Sequence, residues 1–216
     1  YWANKPGMPD WQKHKIVIYV GKIDQNEIDW RGTAGARFII PHGDLEQELL
    51  AHAIDSARKF GSENISLRNL AGQIGVSPSA AYHHFSDKET LLRAAADQAL
   101  EMLADRFEKA ISDIGNEDVQ SAWLRFNNLG RAYIDFAIHE PHLFRLAFGP
   151  HCRSLENDQT PRAWKLLTDT IEDLVLLKVI PTKFRDRAQL LAWSSVHGVA
   201  TLILDGHLDQ ESGYSV

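Results

Sequence analysis

The chain has 216 residues, 44% hydrophobic and 24% charged, with a formal net charge of −6, the mixture of a globular protein long enough for one or two cores. That balance excludes a protein that coats nucleic acid through bulk positive charge. One cysteine, Cys152, excludes an internal disulfide framework, and no apolar run reaches the ~18 residues of a membrane span.

The start has no charged, apolar and cleavage regions in the order of a secretory signal, so the expected location is the cytoplasm. The first residue is Tyr1 and not methionine, which suits a fragment or sequence carried from upstream. Acid is concentrated late in the chain. Residues 101–216 carry 17 acidic and 12 basic side chains, whereas residues 37–100 carry 8 and 6. A segment that grips DNA through a few placed contacts fits in the first hundred residues.

Residues 1–40 read as an N-terminal extension. Pro6-Gly7-Met8-Pro9 and Gly32-Thr33-Ala34-Gly35 are breaker-rich. Ile16-Val17-Ile18-Tyr19-Val20 between them is a β-prone run suited to a strand or hairpin. A poorly ordered arm and a short accessory element both fit. From Asp44 the period turns helical: Asp44 and Gln47 resemble a capping box, and Leu45, Leu49, Ala53 and Ala57 form a stripe that ends at Gly61. A second helix is expected over Leu67–Ile74 with Ser66 as its cap, then a turn at Gly75-Val76. Ser77-Pro78 open a third, short helix. Ser86-Asp87-Lys88-Glu89 reads as the capping box of a long fourth helix carrying Leu92, Ala95, Ala96, Ala99, Leu103, Phe107 and Ala110.

The remainder continues as helices. Val119, Trp123, Phe126, Gly130, Tyr133 and Ala137 mark one that ends before Pro141, and residues 141–148 form a short one. Thr160-Pro161 open another, with Ala163, Leu167, Ile171, Leu174 and Val175, which stops at Pro181. The last, about residues 184–204, is apolar nearly all round from Leu190 and needs cover on every side, for which a second subunit is the natural source. The expected fold is all-α: a three-helix domain at 41–88, joined by a long helix to a helical domain at 89–208, with a tail at 209–216.

Residues 67–84 have the parts of a DNA-reading helix-turn-helix: a short positioning helix, a glycine turn and a second helix able to enter the major groove. Spacing alone leaves an ordinary αα-hairpin open. The run Ser66-x-Arg68-x-Leu70-Ala71-x-x-Ile74-Gly75-Val76-Ser77-Pro78-Ser79-Ala80-Ala81-Tyr82-His83-His84-Phe85-Ser86-x-Lys88-x-x-Leu91-Leu92 strongly resembles the N-terminal domain of TetR family bacterial regulators. Glu140-Pro141-His142-Leu143-Phe144-Arg145-Leu146 and Trp193-Ser194-Ser195-Val196-His197-Gly198 resemble the subgroup with a WHG-type C-terminal half.

The resemblance implies that 41–88 is an N-terminal helix-turn-helix DNA-binding domain and 89–208 a C-terminal helical ligand and dimerisation domain, and that the chain is a DNA-binding transcriptional regulator, expected to be a repressor. It would bind a palindromic double-stranded operator as a homodimer and be released by a small-molecule effector. Tyr82 and Lys88 then grip phosphates, with His84 beside them and the Ser66 and Ser77 hydroxyls at helix starts. Base reading falls to Ser79, Ala80 and His83, with Arg68 assisting and Pro78 opening the helix. Phosphates near His83 and His84 favour their protonated forms, so operator affinity is expected to rise toward pH 6. Trp123, Tyr133, His139, Phe144, Phe148, Trp193 and His197 are the candidate lining of an effector pocket, against the plain alternative that they are core. The sequence has no phosphate-binding loop, dinucleotide fingerprint, nucleophile elbow or zinc-hydrolase spacing, so no enzyme, cofactor or metal is expected. The alternative is a helical small-molecule or partner-binding dimer whose DNA binding is altered or lost.

Overall fold

Helix ends in this chain are set by short-range hydrogen bonds, and most lie where the sequence placed them. The computed structural model describes residues 18–19, 38–39, 42–150 and 161–208. The rest of the expected extension, His151, Cys152, Thr160 and the tail from 209 lie outside the described residues. Within the extension β1 (Ile18–Tyr19) pairs with β2 (Phe38–Ile39) in parallel, with Ile18 opposite Phe38. Parallel pairing is incompatible with a hairpin, whose strands must run antiparallel.

Helix α1 spans His42–Phe60, starting two residues before the expected cap at Asp44. Its stripe Leu45, Leu49, Ala53 and Ala57 is buried as expected. α2 (Leu67–Ile74) and α3 (Pro78–His84) are separated by Gly75 at φ 85° and ψ 21°. There the Gly75 and Val76 N–H groups both donate to the Ala71 carbonyl at 2.9 Å. The Ser77 hydroxyl accepts from the Ala80 N–H at 3.2 Å and caps α3. Ser66 occupies the equivalent place before α2, but its side chain makes no cap bond.

The long helix α4 (Lys88–Ile111) is capped by Asp87 and not by Ser86. The Thr90 N–H donates to the Asp87 carboxylate at 2.7 Å, while the Ser86 hydroxyl meets that of Thr90. A carboxylate at the positive end of a helix is the stronger, charge-assisted acceptor, which moves the cap by one residue. Glu89, expected to close the box, pairs with Arg93.

α5 (Val119–His139) and α6 (Pro141–Ala147) follow. α7 (Arg162–Leu176) has Pro161 as its N-cap and not as its first helical residue. It ends before Pro181 because Lys178, at φ 60°, turns the chain so that the Val179 N–H reaches the Leu174 carbonyl at 2.9 Å. α8 (Arg185–Leu204) closes the described chain.

α4 packs against α1, α5, α6 and α7, and α8 lies on α5 and α7. One apolar core runs from Leu45, Leu70 and Phe85 through Leu103 and Phe107 to Tyr133 and Phe144. α8 differs. Only Ala200 is buried, while Leu190 and Leu191 are 57% and 66% exposed. No helix among the described residues is long and apolar enough to cross a membrane.

Candidate nucleic-acid interface and apolar cavity

The exposed face of α3 is decided by which residues its core takes. Ala81 is fully buried and Ala80 packs against the core, so the Ala81 methyl is turned inward and that of Ala80 is half withdrawn. Ser79, Tyr82 and His83, spaced for one helix face, are exposed. Tyr82 is 50% exposed and therefore not a core residue. Arg68 on α2, Ser77 and Pro78 are exposed beside them, and Ser66 is half-buried.

Two expected phosphate contacts hold the domain together in this structure. The Lys88 ammonium donates to the Glu63 carbonyl at 2.6 Å, tying the start of α4 to the turn after α1. The His84 ring lies 3.8 Å from the Glu46 carboxylate of α1, with its side chain largely covered. Asp87, next to Lys88, has its carboxyl held below the usual range by hydrogen bonds from the Thr90 backbone and side chain.

The second feature is a cavity of about 290 Å³ lined by α4, α5, α7 and α8. Leu100, Leu103 and Phe107 of α4 form one wall, and Trp164 and Leu167 of α7 face Trp193 and Val196 of α8. The two indoles meet edge to face with centroids 6.0 Å apart. Between them and α6, the Tyr133 hydroxyl lies 2.7 Å from His197 Nδ1. Burial pushes the Tyr133 phenol above its ordinary range, opposed by a hydrogen bond from Trp193. Burial lowers His197. Both groups are therefore neutral near pH 7.

Of the seven residues expected to line a pocket, Tyr133, Phe148, Trp193 and His197 do so. Trp123 does not: it is exposed and contacts Phe126 edge to face at 5.6 Å. His139 is exposed at the end of α5, donating to the Asp135 carbonyl. Phe144 is buried behind the cavity, stacked on the His197 ring at 5.5 Å. The sequence reading missed Trp164 and Phe107. Their signal was present in the helical stripes, but a stripe position reads equally as solid core.

Comparison with known proteins follows the same division of the chain. Residues 49–95 match the model described as bacterial regulatory proteins, tetR family, and residues 126–215 match the tetracyclin repressor-like C-terminal domain. A solved protein of unknown function from Rhodococcus sp. RHA1 is 30% identical, with TM-score 0.65 over 77% of this chain and 86% of that one. A TetR-family transcriptional regulator from Pectobacterium atrosepticum shares the fold, with TM-score 0.59 at 23% identity over 76% of this chain and 83% of that one. The nicotine-responsive transcriptional repressor HdnoR of Paenarthrobacter nicotinovorans is 33% identical over 78 residues, 36% of this chain and 39% of that protein. The nucleoid occlusion factor SlmA of Pasteurella multocida is 29% identical over 111 residues, 51% of this chain and 52% of that protein. The chain thus spans about two fifths to one half of the length of these two curated relatives. Two matched models that cover most of the described helices establish membership: the chain belongs to the TetR family of bacterial regulatory proteins.

Proposed function

We propose that this chain is a cytoplasmic transcriptional repressor that binds a palindromic DNA operator as a homodimer and leaves it when a small molecule enters the cavity. The observation that carries the reading is the course of α4. That helix begins at Lys88, beside the recognition helix α3, and supplies Leu100, Leu103 and Phe107 to the cavity wall. A ligand that moves this wall acts on the helix against which α1 is packed, and α1 in turn carries α2 and α3.

In the DNA complex Tyr82, Lys88, His84, Ser66 and Ser77 hold phosphates, while Ser79, Ala80 and His83, helped by Arg68 and Pro78, meet base edges. Lys88 and His84 exchange their present protein partners for phosphate. The effector touches Tyr133, Phe148, Trp193 and His197. The domains divide near residue 88, with the DNA-binding unit at 41–88 and the ligand and dimer unit at 89–208. The exposed Leu190 and Leu191 of α8 and Leu176 of α7 support a second copy as the missing cover. A relative named as a nicotine-responsive repressor supports repression relieved by a small molecule.

The test is selection of bound duplexes from a random DNA library, followed by gel shift. Two half-sites about 34–36 Å apart, or a multiple, are expected. Recovery of no preferred duplex would overturn the reading and leave a helical small-molecule or partner-binding dimer.

A further inference from the structure

We propose that the cavity takes an uncharged, largely apolar ligand bearing a hydrogen-bond acceptor, and that His197 recognises that acceptor by donating from Nε2. The inference rests on the reading of the cavity as the effector site and names the chemistry of the effector.

The lining has no Asp, Glu, Lys or Arg among the described residues. An ionised ligand would lose its hydration there without gaining a counter-charge, a cost that an uncharged one escapes. The walls are aromatic and aliphatic, and the volume of about 290 Å³ is at the small end for ligand sites. The polar side chains on the lining are Asn127, Tyr133, Trp193 and His197. Asn127 is exposed and so belongs to the rim.

Tyr133 and His197 form a part-buried pair, the phenol oxygen and the imidazole Nδ1 facing each other. The buried Tyr133 hydroxyl must pass its own proton to an acceptor, and among the described residues that acceptor is His197 Nδ1 at 2.7 Å. Nδ1 is thereby occupied as an acceptor, and the ring proton sits on Nε2. No described residue accepts a hydrogen bond from Nε2. The ring is clamped between Phe144, centroids 5.5 Å apart, and Trp193 at 5.4 Å, so it cannot readily rotate to exchange its nitrogens. His197, a residue of the lining, therefore offers Nε2 as a fixed donor.

Isothermal titration of the full chain at pH 7.5 with five probes of similar size tests this: naphthalene, quinoline, indole, 1-naphthoate and N-methylquinolinium. Quinoline, an acceptor, is expected to bind about tenfold tighter than naphthalene, which has no polar group, or indole, a donor. The two ions are expected to show no binding. In His197→Phe quinoline falls to the level of naphthalene while naphthalene is retained. In Tyr133→Phe, where Nδ1 is released, indole gains on quinoline. Equal binding of quinoline and naphthalene, preference for indole, or tight binding of either ion overturns the proposal. If a variant fails to fold by circular dichroism, the ranking on the unmodified chain decides alone. If none of the uncharged probes binds, the effector-site reading itself fails, an outcome distinct from a wrong ranking.

Discussion

Arg58 Nε donates to the Glu140 carboxylate at 2.9 Å, joining two residues that are 82 positions apart in sequence. Arg106 of α4 approaches the other carboxylate oxygen at 3.7 Å. One largely covered acid at the α5–α6 junction thus ties together α1, of the proposed DNA-binding unit, and α4. Glu140→Ala leaves two arginines facing each other without their acceptor. A loss of about 1.5–3 kcal/mol in urea unfolding is expected, the usual contribution of hydrogen bonds to a charged group. Arg58→Ala should cost less, because Arg106 stays with the acid.

Gly75 lies at φ 85° between α2 and α3, where a side chain with a Cβ is strained. Gly75→Ala is expected to cost about 1–2 kcal/mol. A thermal melt that stays unchanged would contradict the turn geometry.

Tyr82 is half exposed and Lys88 is bonded to the Glu63 carbonyl, so their variants separate folding from binding. Tyr82→Phe should leave stability within about 0.5 kcal/mol and weaken operator binding by about 0.5–1.5 kcal/mol, uniformly across sequences. Lys88→Ala should lower the slope of log affinity against log salt by about 0.9, the share of one phosphate. If Lys88 serves only as a strut, the melt changes and the slope does not. Gel shifts at several salt concentrations distinguish the two.

Leu191 is the more exposed of the two adjacent leucines of α8. Leu191→Glu places a charge on the proposed dimer face without touching the buried core. Light scattering is expected to show a dimer for the unmodified chain at micromolar concentration and a monomer for the variant. A monomeric unmodified chain would remove the dimer from the proposed function.

His197 is lowered by burial, which gives stability a sign with pH. Above about pH 6.5, the ordinary histidine value, the ring is neutral in both folded and unfolded chains. As pH falls through that value the unfolded chain takes up a proton that the folded ring resists, so stability declines toward the lower folded value. The urea midpoint should drop between pH 7.5 and 5.5, and His197→Phe should reduce that drop.

The local elements were legible because their causes are local. Ser77-Pro78 start a helix through a hydroxyl cap and a residue with no N–H to satisfy, and Gly75 ends one because it tolerates a left-handed backbone. The apolar period of α4 predicted a buried helix whatever it packed against. The cap lies at Asp87 and not at Ser86: both residue types cap helices, and the charge-assisted bond from the Thr90 N–H favours the carboxylate. The cavity was not legible to the same degree. Trp123 and Trp164 are both tryptophans on amphipathic helices, yet one faces solvent and the other lines the cavity. His139 and His197 differ likewise. Which side chain enters depends on the rotation of α5, α7 and α8 about their axes, and that is settled by packing across more than sixty residues of separation, as at Tyr133 and His197. By itself the sequence determined the helices and the recognition turn, because hydrogen bonds within a few residues decide these. Only the tertiary structure decided which aromatic and polar groups share one cavity, because that follows from long-range packing of whole helix faces.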